Sequence, residues 1–228
     1  MESYSEAFVS QLAQQAYDGD ATFPIVASRC ALIVIDMQEE FVRPGWTPFW
    51  VPAATAAVPR IRELIERCRA LGVPVIYTAF GGTNHFLDRP KCGSAMPNRY
   101  PGLEVGHDDW FREGRIVPEL APASGELVLL KPSYGAFYDT PLETILKNLG
   151  RDTVIICGTL TNFCCGTTAR QAYERGFQVV FGSDVNATDD EQLHRAELKT
   201  LRKGFARVMS GREIGEALAA SRAAHAGV

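Results

Sequence analysis

A chain of 228 residues, 46% of them hydrophobic and with a formal net charge of −4, is long enough to bury a full core and offers nucleic acid no basic field. No apolar run approaches the ~20 residues of a membrane span, and the opening MESYSEAFVSQL lacks the basic and apolar regions of a secretory leader. A cytoplasmic protein without membrane or nucleic-acid partners is therefore expected, and its six scattered cysteines (30, 68, 92, 157, 164 and 165), without metal-type CxxC spacing, are read as free thiols.

Residues 4–18 predict an amphipathic helix with Phe8, Leu12 and Ala16 on one stripe. Ala31 to Ile35 then reads as a buried strand that ends in Asp36, followed by MQEEF with Gln38 and Phe41. A carboxylate directly after a buried strand is costly unless paired, and ligands of open parallel sheets bind outside the carboxyl ends of the strands, so Asp36 is a site candidate. The segment VRPGWTPFWVP, which contains Trp46, is too irregular for a strand and too apolar for an ordinary exposed loop; it fits a lid, a subunit contact or core filling. A helix from Ala53 to Leu71 places Val58, Ile61, Leu64, Ile65 and Cys68 on one face and stops at Gly72, and Val73 to Phe80 is the next strand. Residues 81–125 have no sustained period but many aromatics, the mark of a substrate-binding or interface insertion, with His85, Arg89, Arg99 and His107 as its polar candidates.

Glu126 to Leu130 predicts a third strand, with Lys131 immediately after it. A helix to Gly150 follows, capped by Thr140 or Asp139 with Pro141 just inside. Thr153 to Cys157 is an apolar, β-branched run punctuated by Gly158, and helical spacing of Ala169, Ala172 and Tyr173 predicts a helix from near Cys164 to just before Gly176. The partial positive charge at a helix N-terminus lowers a cysteine pKa from its free value of ~8.5, which makes Cys164 a candidate nucleophile. A strand from Phe177 to Ser183 ending at Asp184, a helix through DDEQLHRAELKTLRK, a strand from Phe205 to Met209 and a helix from Ser210 complete the chain. This alternation specifies a parallel sheet covered by helices on both faces, an α/β fold of three layers (α/β/α). Right-handed crossovers bring Asp36, Lys131 and Cys164 to the same sheet edge.

The stretches ALIVIDMQEEF, KPSYGAF with TPLETIL, and ICGTLTNFCCGTTARQAYERGFQVVFGSD stand in the order of a known family. From about Ala31 to Met209 the chain resembles the isochorismatase-like cysteine hydrolases. The resemblance implies a six-stranded parallel sheet in Rossmann-like order as one domain over residues 1–228, and a catalytic Asp36, Lys131, Cys164 triad. Cys165 then stands as the apolar neighbour of the nucleophile. It further implies a non-proline cis peptide between Thr159 and Leu160, and an oxyanion hole built from the backbone N–H groups of Leu160 and Cys164. Gln38, Phe41, Trp46, His85, Tyr134 and Phe137 are the expected substrate contacts, and a homodimer or homotetramer the expected assembly.

Two departures choose a branch. Nicotinamidases of the family carry an Asp, His, His metal site soon after the second strand; here FGGTNHFLDR offers one histidine and no Asp-x-His pair, so no metal is expected and nicotinamidase activity is placed low. Isochorismatases proper have glycine in place of Cys164. The retained thiol favours a metal-independent, cofactor-free cysteine amidohydrolase acting on a small amide, ureide or N-carbamoyl compound through a thioester. KPSYGAFYDTPLETIL is most similar to ureidoacrylate amidohydrolases, and the long N-terminal helix is similar to that of N-carbamoylsarcosine amidohydrolases. The alternatives are vinyl ether hydrolysis and a catalytically silent binding homologue; a dinucleotide-binding protein is disfavoured because DMQEEFVRPG, not GxGxxG, follows the first strand.

Overall fold

The computed structural model describes residues 4–16, 19–81, 87–90, 111 and 114–225. Six strands, β1 (Cys30–Ile35), β2 (Val75–Phe80), β3 (Leu127–Lys131), β4 (Thr153–Thr159), β5 (Gln178–Ala187) and β6 (Arg207–Met209), form one sheet in the order β3-β2-β1-β4-β5-β6. Every neighbouring pair is parallel, so all the carboxyl ends share one edge.

Side chains of a strand alternate between faces, and β1 uses both. Cys30, Leu32 and Val34 pack with Ile61, Leu64 and Cys68 of helix α3 (Pro52–Ala70), and that cluster also holds Ile214 and Leu218 of the last helix (Gly211–His225). Ala31, Ile33 and Ile35 belong to a second cluster on the opposite face. It includes Leu142 and Leu146 of a helix at Leu142–Asn148, Ala169 and Ala172 of one at Gly166–Glu174, and Leu201 of one at Glu191–Gly204. Counting Glu6–Ala16 as α1 and the short Glu39–Val42 as α2, these four later helices are α4 (142–148), α5 (166–174), α6 (191–204) and α7 (211–225). The sheet between two helical layers is the expected fold class.

Element ends differ from expectation at several places, among them the end of β5, the N-terminal helix and the start of α4. Strand β5 runs past Asp184 to Ala187, because its register shifts against β4 between Ile156 and Gly158 and pairing resumes at Gly158 with Asn186. The Asn186 amide bridges that bulge by donating to Ile156 O and Gly182 O, at 2.9 and 2.7 Å. The N-terminal helix occupies Glu6–Ala16 and leaves Phe8, Val9 and Leu12 exposed. Pro141 precedes α4, and Thr140 Oγ1 accepts from Leu142 N at 3.3 Å.

Gly158 has φ of 129°, and a Cβ there would fall 2.0 Å from Ile35 O in the β1–β4 ladder. Gly158→Ala is therefore expected to cost about 2–4 kcal/mol, read as a lower urea midpoint, because it adds both a left-handed backbone penalty and a main-chain clash. At Gly204 a Cβ would meet nothing within 4 Å, so Gly204→Ala serves as the control. Equal midpoints for the two variants would contradict the packing of β1 on β4.

Candidate active site

Asp36 leaves β1 in the left-handed region, at φ 49°, a conformation that aspartate tolerates better than most residues. Its N–H donates to Thr78 O at 3.1 Å and its Oδ1 accepts from Thr78 Oγ1 at 2.8 Å. Its Oδ2 lies 2.6 Å from Lys131 Nζ, and both side chains are fully buried. Lys131, the last residue of β3, also donates to Ser133 O at 2.9 Å and sits 5.5 Å from the centre of the Phe80 ring. Either charge alone at this depth would cost several kcal/mol of desolvation, so the two residues depend on each other.

Beyond β4 the Thr159–Leu160 peptide bond is cis. The helix begins three residues before Cys164: a π-helical turn over Thr161–Cys165 runs directly into α5. Leu160 O accepts from the N–H groups of Phe163 and Cys165, both at 3.1 Å. Cys164 thus lies in the first helical turn, where N–H groups lack intrahelical acceptors. Its carbonyl accepts from Thr168 Oγ1 at 2.6 Å, and its side chain is buried where both Asp36 and Lys131 act on the thiol.

The electrostatics reverse the expected direction of the thiol pKa. Burial pushes Cys164 up to about 12, Lys131 pulls it back only in part, and the Asp36 carboxylate adds to the rise. A helix terminus and one ammonium do not offset complete desolvation. Burial also opposes the charge on Lys131, but the neighbouring Asp36 and Cys164 outweigh it and hold the lysine pKa above its ordinary value. The resting arrangement is a neutral thiol against an Asp–Lys ion pair. Cys165 is fully buried in the apolar cluster beneath α5, and burial raises its thiol well above the ordinary range. The five described cysteines are all free; Cys92 lies outside the described residues.

Cys164 and Leu160 border a cavity of about 250 Å³ whose walls are Phe41, Phe49, Phe80, Phe111, Tyr134 and Phe163. The Phe111 ring centre stands 5.2 Å from that of Phe41 and 5.1 Å from those of Phe49 and Phe80. Arg89 and Asp189 bring opposite charges to the same lining. This volume is below the ~300–1,000 Å³ of drug-sized pockets and suits a small molecule.

Of the six expected contacts, Phe41 and Tyr134 line the cavity. Gln38 does not: its amide donates to Phe80 O at 2.9 Å and accepts from Phe80 N at 2.8 Å, tying the end of β1 to the end of β2. Trp46 does not either, being 40% exposed beneath the guanidinium of Arg43. Phe137 is core, with its ring 5.7 Å from that of Phe177. His85, with Arg99 and His107, lies outside the described residues. Sequence reasoning passed over Thr78, whose hydroxyl interrupts the apolar run VIYTAF and could have been noticed, and Phe111, which nothing in its irregular surroundings distinguishes. Among the described residues no group of three or more His, Cys, Asp or Glu side chains is placed to hold a metal ion.

The isochorismatase domain family matches residues 30–213. The chain belongs to the isochorismatase family. This family member is 34% identical to nicotinamidase 3 of Arabidopsis thaliana, over 77% of its own length and 82% of the relative's. It is 28% identical to a ureidoacrylate amidohydrolase of Methylobacterium radiotolerans, over 76% of its length and 73% of that protein's. A crystal structure of a cysteine hydrolase from Pseudomonas syringae superposes with a TM-score of 0.80 at 28% identity, covering 90% of this chain and 99% of the other. Members of the family are hydrolases, amidohydrolases among them.

Proposed function

We propose that this isochorismatase-family hydrolase is a metal-independent cysteine amidohydrolase that cleaves a C–N bond of a small amide, ureide or N-carbamoyl compound. The observation that carries the reading is the Cys164 thiol at an aromatic cavity, in contact with the buried Asp36–Lys131 pair. Similarity to a nicotinamidase and a ureidoacrylate amidohydrolase supports a C–N bond as the target. The vinyl ether alternative needs no thiol, so it leaves Cys164 unexplained.

Cys164 is neutral at rest, so attack and proton transfer are coupled: Asp36 takes the thiol proton as sulfur bonds to the carbonyl carbon. Lys131 remains charged and balances Asp36 and the developing thiolate. The tetrahedral oxyanion faces the N–H groups of Leu160 and Cys164. Its collapse expels the amine, protonated by Asp36, and leaves a thioester. Water activated by Asp36 then attacks the thioester, and the thiol recovers its proton. A cytoplasmic homodimer or homotetramer working on a soluble small molecule completes the proposal.

The test is a screen of small ureides, N-carbamoyl amino acids, nicotinamide and aromatic amides for ammonia release by protein treated with a chelator. Turnover is expected to survive chelation, because the carbonyl is polarised by backbone N–H groups. Activity that vanishes with chelator and returns with zinc, manganese or iron would reject the metal-free reading, and turnover of isochorismate by Cys164→Ala would favour the ether hydrolase.

A further inference from the structure

The nucleophile turn is gripped from the far side by the β5–α6 region, through residues that do not border the cavity. Thr161, the first residue of the turn and fully buried, places Oγ1 2.8 Å from Nδ1 of His194 on α6. The other ring nitrogen of His194, Nε2, lies 3.0 Å from Ser183 O on β5. A carbonyl oxygen only accepts, so Nε2 carries the proton; in the neutral ring Nδ1 is then an acceptor, and Thr161 Oγ1–H donates to it. Each atom of this relay has a defined role, and the imidazole links the second half of the sheet to the residue next to Leu160.

Two further contacts hold the same segment from the same side. Thr188 Oγ1 lies 2.7 Å from Asn162 Oδ1. Glu197, one turn beyond His194 on α6, holds Arg170 through both carboxylate oxygens and lies so close over α5 that a Cβ on Gly166 would fall 2.0 Å from its Oε1. The Thr188 contact reaches Asn162 within the turn, and the Glu197 contacts fasten α5. Among the described residues, the His194 contact is the side-chain hydrogen bond to Thr161, where the chain turns from Leu160 into the helix.

We propose that His194 is a positioning residue: through Thr161 it fixes the orientation of the turn that presents the Leu160 and Cys164 N–H groups and the Cys164 thiol, and so sets the rate of the acylation step without touching substrate. The role rests on Cys164 being the nucleophile. Misplacing reacting groups by about an ångström costs up to ~10²-fold in rate, whereas most of the aromatic wall, Phe41, Phe49, Phe80, Phe111 and Tyr134, stands off this turn. The larger part of the effect therefore belongs in kcat rather than in KM.

The experiment compares Thr161→Val, Thr161→Ser, His194→Phe and the Thr161→Val/His194→Phe double variant on the best amide of the screen. Thr161→Val and His194→Phe are expected to lower kcat by about 10- to 100-fold with KM within about twofold of wild type. Thr161→Ser, which keeps the hydroxyl, should recover most of the rate, and the double variant should be no slower than the worse single variant because both remove one hydrogen bond. Unchanged kcat in Thr161→Val, an equal loss in Thr161→Ser, or losses that multiply would overturn the proposal. Thr161→Val carries the test by itself if His194→Phe does not fold. If wild type hydrolyses no amide, the cysteine amidohydrolase reading fails first, and hydrogen exchange of the 158–166 segment then decides. Faster exchange in Thr161→Val but not in Thr161→Ser supports the latch, and equal exchange in the two overturns it.

Discussion

Cys164→Ala and Cys164→Ser are expected to lose at least ~10³-fold in turnover while keeping the fold, and Cys165→Val to lose little. The two thiols are adjacent in sequence but occupy different surroundings: Cys164 borders the cavity and touches Asp36 and Lys131, whereas Cys165 packs beneath α5 with Ala169 and Ala172. Valine keeps the second site apolar and exceeds cysteine by about one carbon, so its cost falls on stability and not selectively on turnover. Steady-state rates with circular dichroism as a check on folding are sufficient. Equal losses at the two positions would mean that neither thiol has a privileged chemical role.

The second large effect separates Asp36 from Lys131. Asp36→Asn keeps the shape of the side chain but cannot accept the thiol proton, so acylation should slow by ~10²–10⁴-fold. Its effect on the thiol pKa runs the other way, because the Asp36 carboxylate is among the groups that raise it. Iodoacetamide alkylation of Cys164 across a pH series reads this directly. In wild type the burial-raised thiol should gain reactivity only well above the ordinary thiol range, toward about 12. In Asp36→Asn the midpoint should fall, and in Lys131→Met, which removes a neighbouring charge that favours the thiolate, it should rise further. Removing one member of a buried pair costs about 3–5 kcal/mol, so the variants are compared at a temperature where circular dichroism shows them folded. A Lys131→Met midpoint equal to that of wild type, alongside lost turnover, would move the lysine's role from the thiol to the substrate.

The meeting of Asp36, Lys131 and Cys164 is legible in the sequence because each polar residue interrupts or follows an apolar strand at its carboxyl end, and a parallel sheet sends all those ends to one edge. The layer order is legible for the same reason: residues such as Ala31, Ile33 and Ile35 alternate with Cys30, Leu32 and Val34 without a polar break, which only a sheet covered on both faces accommodates.

What is not legible depends on tertiary burial. The direction of the Cys164 pKa follows from its complete desolvation beneath the cavity, while the sequence displays only the helix terminus that acts against it. The start of that helix at Thr161 is hidden because a π turn shifts the apolar period before α5 takes it up. The extension of β5 to Ala187 depends on the Asn186 amide spanning a bulge, where the apolar run has already ended. Phe137 and Tyr134 come from the same short segment and look alike in sequence, yet the first packs on Phe177 in the core and the second faces the cavity.

The central claim, that Cys164 carries the acyl group, is tested most directly by intact-mass spectrometry of the protein quenched during turnover of its best amide, with fragmentation to assign the modified residue. A mass increase equal to the acyl group is expected on Cys164 and none in Cys164→Ala. A larger share of modified protein is expected when a slowly hydrolysed acyl group is used. Turnover with no adduct under any quench, or an adduct on Cys165, would contradict it.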